Sequence, residues 1–222
     1  MKFQCARKLK MNLDSYHKII SQLPNSVTLI AVSKGQSIDK ILKLYSEGQR
    51  HFGENFEQEL THKKENLPED IKWHFLGNMQ TNKLKRITSS SYLIQSVSRT
   101  KVLDKLNNLN ENKALNILLQ YKLGNEDTKS GFSRAEIIEH HERYRGSNSL
   151  KIMGLMGIAE NSTEEKRTQD QFEEIAQLYN ELKSKDENIS TLSIGMSSDY
   201  NLAIESGSNM IRLGTVIFGK RK

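Results

Sequence analysis

The chain has 222 residues, 36% of them apolar, enough for one core of ordinary size, and its single cysteine, Cys5, excludes an internal disulfide. Its 33 basic and 27 acidic residues leave a formal charge of +6 that suits an anionic ligand, but Lys40, Lys43, Lys63, Lys64, Lys83 and Lys85 are scattered as a solvated face rather than blocked for nucleic acid. No apolar run approaches the ~18–20 residues of a membrane span, and the N-terminus lacks a signal peptide's apolar core, so a cytoplasmic protein with no membrane or nucleic-acid partner is expected.

In chain order, residues 1–20 read as an amphipathic helix with Leu9, Leu13, Tyr16 and Ile20 on one face. Short apolar runs then alternate with helical patterns. The runs lie at 27–33, 50–55, 72–77, 92–97, 116–123, 151–158, 190–196 and 209–219, and read as strands. After the first of them Ile38, Ile41, Leu42 and Tyr45 keep the helical period up to Gly48, which stops the helix as its C′ residue. "FSRAEI" (132–137) opens another helix: Ser133 caps it, Glu136 closes a capping box, and Phe132 and Ile137 are spaced as a hydrophobic staple. A long helix over 163–184 presents Phe172, Ile175, Ala176, Tyr179 and Leu182. No linker or repeat marks a boundary, so residues 1–222 are expected to form a single domain.

Strands that are apolar on both faces and separated by helices describe a parallel sheet covered by helices. Eight such units in this length predict an α/β fold, a (β/α)8 TIM-type barrel, with the open doubly wound sheet as the alternative. A barrel carries its chemistry at the C-terminal ends of its strands. Those ends bring forward Lys34, Asn55, Gly77 with Asn78, Gly124, Ala159, Ser197 with Ser198, and Gly214 with Thr215.

The segment "GMSSDYNLAIESG" (195–207) puts Gly195, Ser197 and Ser198 before a short helix capped by Ser198 or Asp199 and stopped by Gly207. Backbone N–H groups and hydroxyls there make an anion site, and "RLGT" (212–215), taken as part of the last strand, adds the Gly214 N–H and the Thr215 hydroxyl. Helix capping alone would also account for the serines. Lys34, at the end of the first strand, points to the pocket mouth, where desolvation or Arg212 would free its amine for attack on a carbonyl; a lysine snorkelling from the rim is the other reading. Arg212, inside an apolar strand, needs an acceptor, either a carboxylate or a heteroaromatic nitrogen. Asn55 and His74 are candidates to line the pocket, His74 equally a core histidine, while Met153 and Met156 read as core filling. Dinucleotide, Walker, HExxH and GxSxG signatures are absent from the sequence, as is a clustered Cys/His metal set, so no metal is expected.

The motifs "AVSK" (31–34), "GQRHFGEN" (48–55), "WHFLGNMQTNK" (73–83), "KSGF" (129–132), "GLM" (154–156), "LSIGMSSDY" (192–200) and "IRLGTVIFG" (211–219) follow one another in order. On them the chain strongly resembles the pyridoxal-phosphate homeostasis proteins, which look like the N-terminal barrel of alanine racemase. The resemblance implies that Lys34 holds pyridoxal 5′-phosphate (PLP) as an aldimine and that Ser197, Ser198, Gly214 and Thr215 form its phosphate cup. It implies that Arg212 faces the pyridine nitrogen; an arginine stays protonated, so the ring nitrogen does not, and the ring is a weaker electron sink. Asn55 and His74 match pocket positions of the family, and Lys83 and Lys129 match further family lysines that help hand the cofactor on. Gly35, where the family commonly has threonine, and "IAENST" (158–163), in place of a proline-rich stretch, are the departures.

Two functions from different classes follow. The first is a monomeric carrier that stores PLP, masks its aldehyde and delivers it to apo-enzymes, without robust turnover. The second is a PLP-dependent amino-acid racemase. Racemisation needs a base on each face of the cofactor, and alanine racemase takes one from a C-terminal β-domain that this chain, ending at Lys222, is expected to lack, which favours the carrier. A phosphosugar barrel with Lys34 as an aldolase-like base explains the anion site but not Asn55 and Arg212 together.

Overall fold

The apolar runs form parallel strands Thr28–Val32 (β1), His51–Glu54 (β2), Lys72–Phe75 (β3), Leu93–Val97 (β4), Leu115–Tyr121 (β5), Leu150–Gly157 (β6), Thr191–Ser193 (β7) and Met210–Leu213 (β8) in the computed structural model. It describes residues 11–109, 114–124, 130–160, 162 and 164–219. Each strand pairs with the next, and β8 returns to β1 with Thr28 opposite Met210 and Ala31 opposite Leu213. The sheet is therefore a closed barrel, and the open doubly wound alternative is excluded.

The helices Ile38–Ser46 (α2), Glu57–Asn66 (α3), Leu84–Ser90 (α4), Thr100–Asn107 (α5), Arg134–Tyr144 (α6), Glu165–Lys185 (α7) and Tyr200–Glu205 (α8) connect successive strands. Leu13–Gln22 (α1) precedes β1, and Thr215–Phe218 (α9) follows β8. Successive strand residues point to opposite faces, so two apolar layers result. Leu29, Ala31, Ile211 and Leu213 face the helices, in one cluster with Ile41, Leu60, Ile175 and Leu182. Ile30, Leu93, Leu118, Met156 and Met210 form a separate cluster on the inner face, with Met153 against it. Both methionines do fill core.

Several local readings are realised. Gly48 takes φ 96 after α2, as a C′ glycine does. Ser133 and Glu136 form the full capping box at α6, with Phe132 and Ile137 both buried. Other readings need correction. On α1 the buried pair is Tyr16 and Ile19, while Ile20 is 42% exposed; on α2 Leu44 is buried and Leu42 is 40% exposed. Adjacent helix positions differ by about 100°, and packing, not periodicity alone, chose the rotation. On α7 Leu178 is buried, while Ala176 is only half-buried. The run 209–219 is not one strand: it ends at Leu213, and Thr215–Phe218 turns into a short helix from Gly214. Lys63, read as solvated, is 4% exposed. Leu9 and Lys129 lie outside the described residues.

Candidate functional site

Lys34 stands two residues past β1, in a turn closed by the Gln36 N–H donating to the Ser33 carbonyl at 2.9 Å. Gly35 is the third residue of that turn at φ 70, the left-handed value that favours glycine there. The turn is fixed from below. The Ser33 hydroxyl donates to Glu54 Oε1 at 2.6 Å, and the Gly35 N–H donates to both carboxylate oxygens of Glu59 at 3.0 and 3.1 Å. Lys63 Nζ reaches the Ser33 carbonyl at 2.9 Å, Glu54 Oε1 at 2.8 Å and Glu59 Oε2 at 3.3 Å. Burial, ahead of a hydrogen bond with Glu59, pushes the Glu54 carboxyl up to about 7. Burial also acts to raise Glu59, but its hydrogen bonds with Glu54 and the Gly35 N–H, together with Lys63, hold it below its usual range.

Lys34 opens onto a cavity of about 400 Å³ at the C-terminal face of the barrel. That size is within the usual range for small-molecule sites. Val32, Leu76, Met156 and Ile158 make part of its wall apolar, and Lys34, Gln36, Asn55, Ser197, Ser198, Arg212 and Thr215 supply polar groups. Asn55 follows β2 directly and is held close to β3: a Cβ on Gly77 would lie 1.8 Å from the Asn55 carbonyl oxygen, so only glycine allows this approach.

Two loops meet on the other side. Gly195 turns the chain out of β7 at φ 94, and the Met196 N–H donates to Asp199 Oδ1 at 2.6 Å, presenting Ser197 and Ser198. Gly214, after β8, caps α9 and sits against the end of β1. The Thr215 hydroxyl donates to Ser197 Oγ at 3.3 Å and joins the loops. A Cβ at Gly214 would meet nothing nearer than the Val32 carbonyl oxygen at 3.4 Å. Packing does not demand a glycine here, and its absent side chain leaves the backbone open to the cavity.

Arg212 closes the floor. Its Nη1 donates to the Ser193 carbonyl and hydroxyl, both at 2.7 Å, and its Nη2 to the Gly157 carbonyl at 2.8 Å. Its acceptors are thus carbonyls and a hydroxyl rather than the carboxylate offered as one alternative. Burial lowers the guanidinium to about 10, and Asp199 opposes that shift, so it stays charged at neutral pH.

The structure therefore gathers Lys34, Asn55, Ser197, Ser198, Arg212, Gly214 and Thr215 on one cavity. His74 is not among its lining residues. It is fully buried inside the barrel, 2.9 Å from His51 Nδ1 and 2.9 Å from the Gln95 amide nitrogen. Lys83 lies beside Glu57 at 3.9 Å, away from the cavity lining. The sequence reading missed Ser33, Glu54, Glu59 and Lys63 beneath the turn, and Ser193 and Gln95 beneath Arg212. A signal was present: "HFGE" and "LIQSV" put polar residues in strands covered on both faces, where each needs a partner.

Residues 6–222 match a family model described as alanine racemase, N-terminal domain. The pyridoxal phosphate homeostasis protein of Vibrio alginolyticus is 38% identical over 205 residues, 89% of this chain and 88% of that protein. PipY of Synechococcus elongatus PCC7942 is 34% identical, over 93% of this chain and 99% of that one. Its structures without PLP and with PLP bound give TM-scores of 0.87 and 0.85. The alanine racemase of Clostridium difficile 630 shares the fold, with a TM-score of 0.79 at 14% identity over 95% of this chain and 58% of that one.

Proposed function

Since the chain belongs to the alanine racemase N-terminal domain family, and within it to the pyridoxal phosphate homeostasis proteins, we propose that its cavity holds pyridoxal 5′-phosphate with Lys34 joined to the aldehyde as a Schiff base. The observation that carries this reading is the convergence on one cavity of an amine, two hydroxyl-bearing loops and a buried guanidinium. The donor set suits the cofactor's shape. Hydroxyls of Ser197, Ser198 and Thr215 and the Gly214 backbone N–H take the phosphate, and Asn55 lies on the Lys34 side. Val32, Leu76, Met156 and Ile158 offer apolar surface to the ring.

Arg212 has only donors, so a ring nitrogen facing it accepts a hydrogen bond and stays unprotonated. The bound cofactor supplies an electrophilic carbon and a ring that accepts electrons, and Arg212 weakens the second property. Among the described residues lining the cavity, Lys34 is the only side chain suited to act as a base; no Tyr, His, Asp or Glu lines it. That supports holding the cofactor over racemisation, which needs a second acid–base group. The reading is therefore a carrier that masks a reactive aldehyde within the cell and releases it to apo-enzymes.

Adding PLP to the purified protein is expected to produce a Schiff-base absorption band that Lys34→Ala does not form. A wild-type protein that takes up no PLP would refute the reading. Rapid racemisation of a common amino acid by the loaded protein would replace the carrier with the enzyme.

A further inference from the structure

Below the cavity a seam of polar side chains crosses the barrel interior, otherwise filled by Ile30, Leu93, Leu118, Met156 and Met210. Its links are hydrogen bonds of ordinary length. Arg212 Nη1 lies 2.7 Å from Ser193 Oγ, and Ser193 Oγ lies 2.7 Å from Gln95 Oε1. Gln95 Nε2 is 2.9 Å from His74 Nδ1, and His74 Nε2 is 2.9 Å from His51 Nδ1. His51 is the first residue of β2, so the chain runs from the N-terminal rim to the cavity at the opposite face.

The bonds share one direction, starting from Arg212. A guanidinium has donors only, so Ser193 Oγ accepts from it, and the Ser193 hydroxyl in turn donates to Gln95 Oε1. The Gln95 amide nitrogen then faces His74 Nδ1 and, at 3.2 Å, Met210 Sδ, both acceptors. A neutral His74 that accepts at Nδ1 carries its proton on Nε2 and donates to His51 Nδ1, which leaves the His51 proton on Nε2. Both rings are held neutral: burial and Lys72 push His51 down to about 4, and burial, ahead of His51 and Lys72, holds His74 well below its usual value. A fixed cation, an amide and two neutral rings thus line up in one hydrogen-bond direction across the barrel.

We propose that Ser193, Gln95 and His74 are positioning residues for Arg212, a one-way hydrogen-bonded chain anchored by His51 that locks the guanidinium in the orientation it presents to the cavity. The inference rests on the reading that Arg212 faces the cofactor ring and names what holds it there. Arg212 donates to the Ser193 carbonyl and hydroxyl and the Gly157 carbonyl. Only the hydroxyl contact continues through side chains, so the Ser193 hydroxyl is the link by which the chain holds the group.

Nitrogen-15 NMR of the cofactor-free protein tests the chain directly. Both His51 and His74 are expected as neutral rings protonated on Nε2, with slowly exchanging Arg212 Nη protons. Ser193→Ala frees Gln95 to flip, so the His74 preference is lost and the Arg212 protons exchange faster; Ser193→Thr keeps a hydroxyl and restores both. Gln95→Met serves as a second break. In the loaded protein Ser193→Ala weakens PLP binding about ten-fold and moves the absorption maximum. A His74 protonated on Nδ1 in the wild type, or a Ser193→Ala protein with unchanged Arg212 exchange and PLP affinity, overturns the proposal. A wild type that takes no PLP refutes the cofactor reading alone, and the NMR result still decides on the chain.

Discussion

Lys34 faces the cavity from its turn, as does Gln36, while Ser33 and Gly35 on either side of the lysine are tied to Glu54, Glu59 and Lys63. The amine is thereby offered from a fixed point, which cuts the ordering cost of any bond it makes. Opposite it, Ser197 and Thr215 touch each other through their hydroxyls, so each orients the other. A hydrogen bond to a charged phosphate contributes about 1.5–3 kcal/mol. Ser197→Ala and Thr215→Val are each expected to weaken PLP roughly ten- to hundred-fold. Affinity for pyridoxal, which lacks the phosphate, stays unchanged. Spectroscopic titration with the two compounds checks this, and an equal loss for both would remove these residues from the phosphate cup.

The elements that frame the cavity depend on close backbone approaches. At the end of β3, Gly77 lies so near the Asn55 carbonyl that a methyl group would overlap it. Gly77→Ala is expected to destabilise the fold by about 1–3 kcal/mol, as overpacking does, and to weaken PLP binding by displacing Asn55. Urea denaturation beside a PLP titration reads both effects; a variant as stable as the wild type would contradict the packing described. At this scale much was legible in the sequence. Strands covered on both faces read as continuous apolar runs, and a lysine ending one run or an arginine inside another demands an explanation. What stayed hidden depends on partners distant in sequence. Lys63 lies among charged residues on α3, and only its meeting with Glu54 from β2 makes its burial tolerable. Ser193 and Gln95 are 98 residues apart and pair only once the barrel closes. "TVIF" is rich in β-branched residues and reads as strand, yet the turn at Gly214 makes it helical.

Across the whole molecule, buried groups of opposite sign shape the response to pH. His51 and His74 bind protons less readily folded than unfolded; the contribution of His51 is complete above about pH 6.5 and is lost as the pH falls toward 4, and His74 acts in the same direction. Glu54, raised from 4.5 to about 7, favours the folded state when protonated, so its contribution grows as the pH falls from 7 to 4.5. The two effects oppose each other, and Glu54→Gln, which mimics the protonated acid at every pH, should expose the histidine slope. Urea midpoints between pH 7.5 and 4.5 are expected to fall more steeply in this variant; parallel profiles would contradict the assignment. The central claim is that, of all the lysines the chain carries, the one at the mouth of β1 takes the aldehyde. Borohydride reduction of the PLP-loaded protein followed by peptide mapping tests it most directly. The expected result is one pyridoxyl group, on Lys34. A reduced label on any other lysine, with Lys34 unmodified, would contradict it.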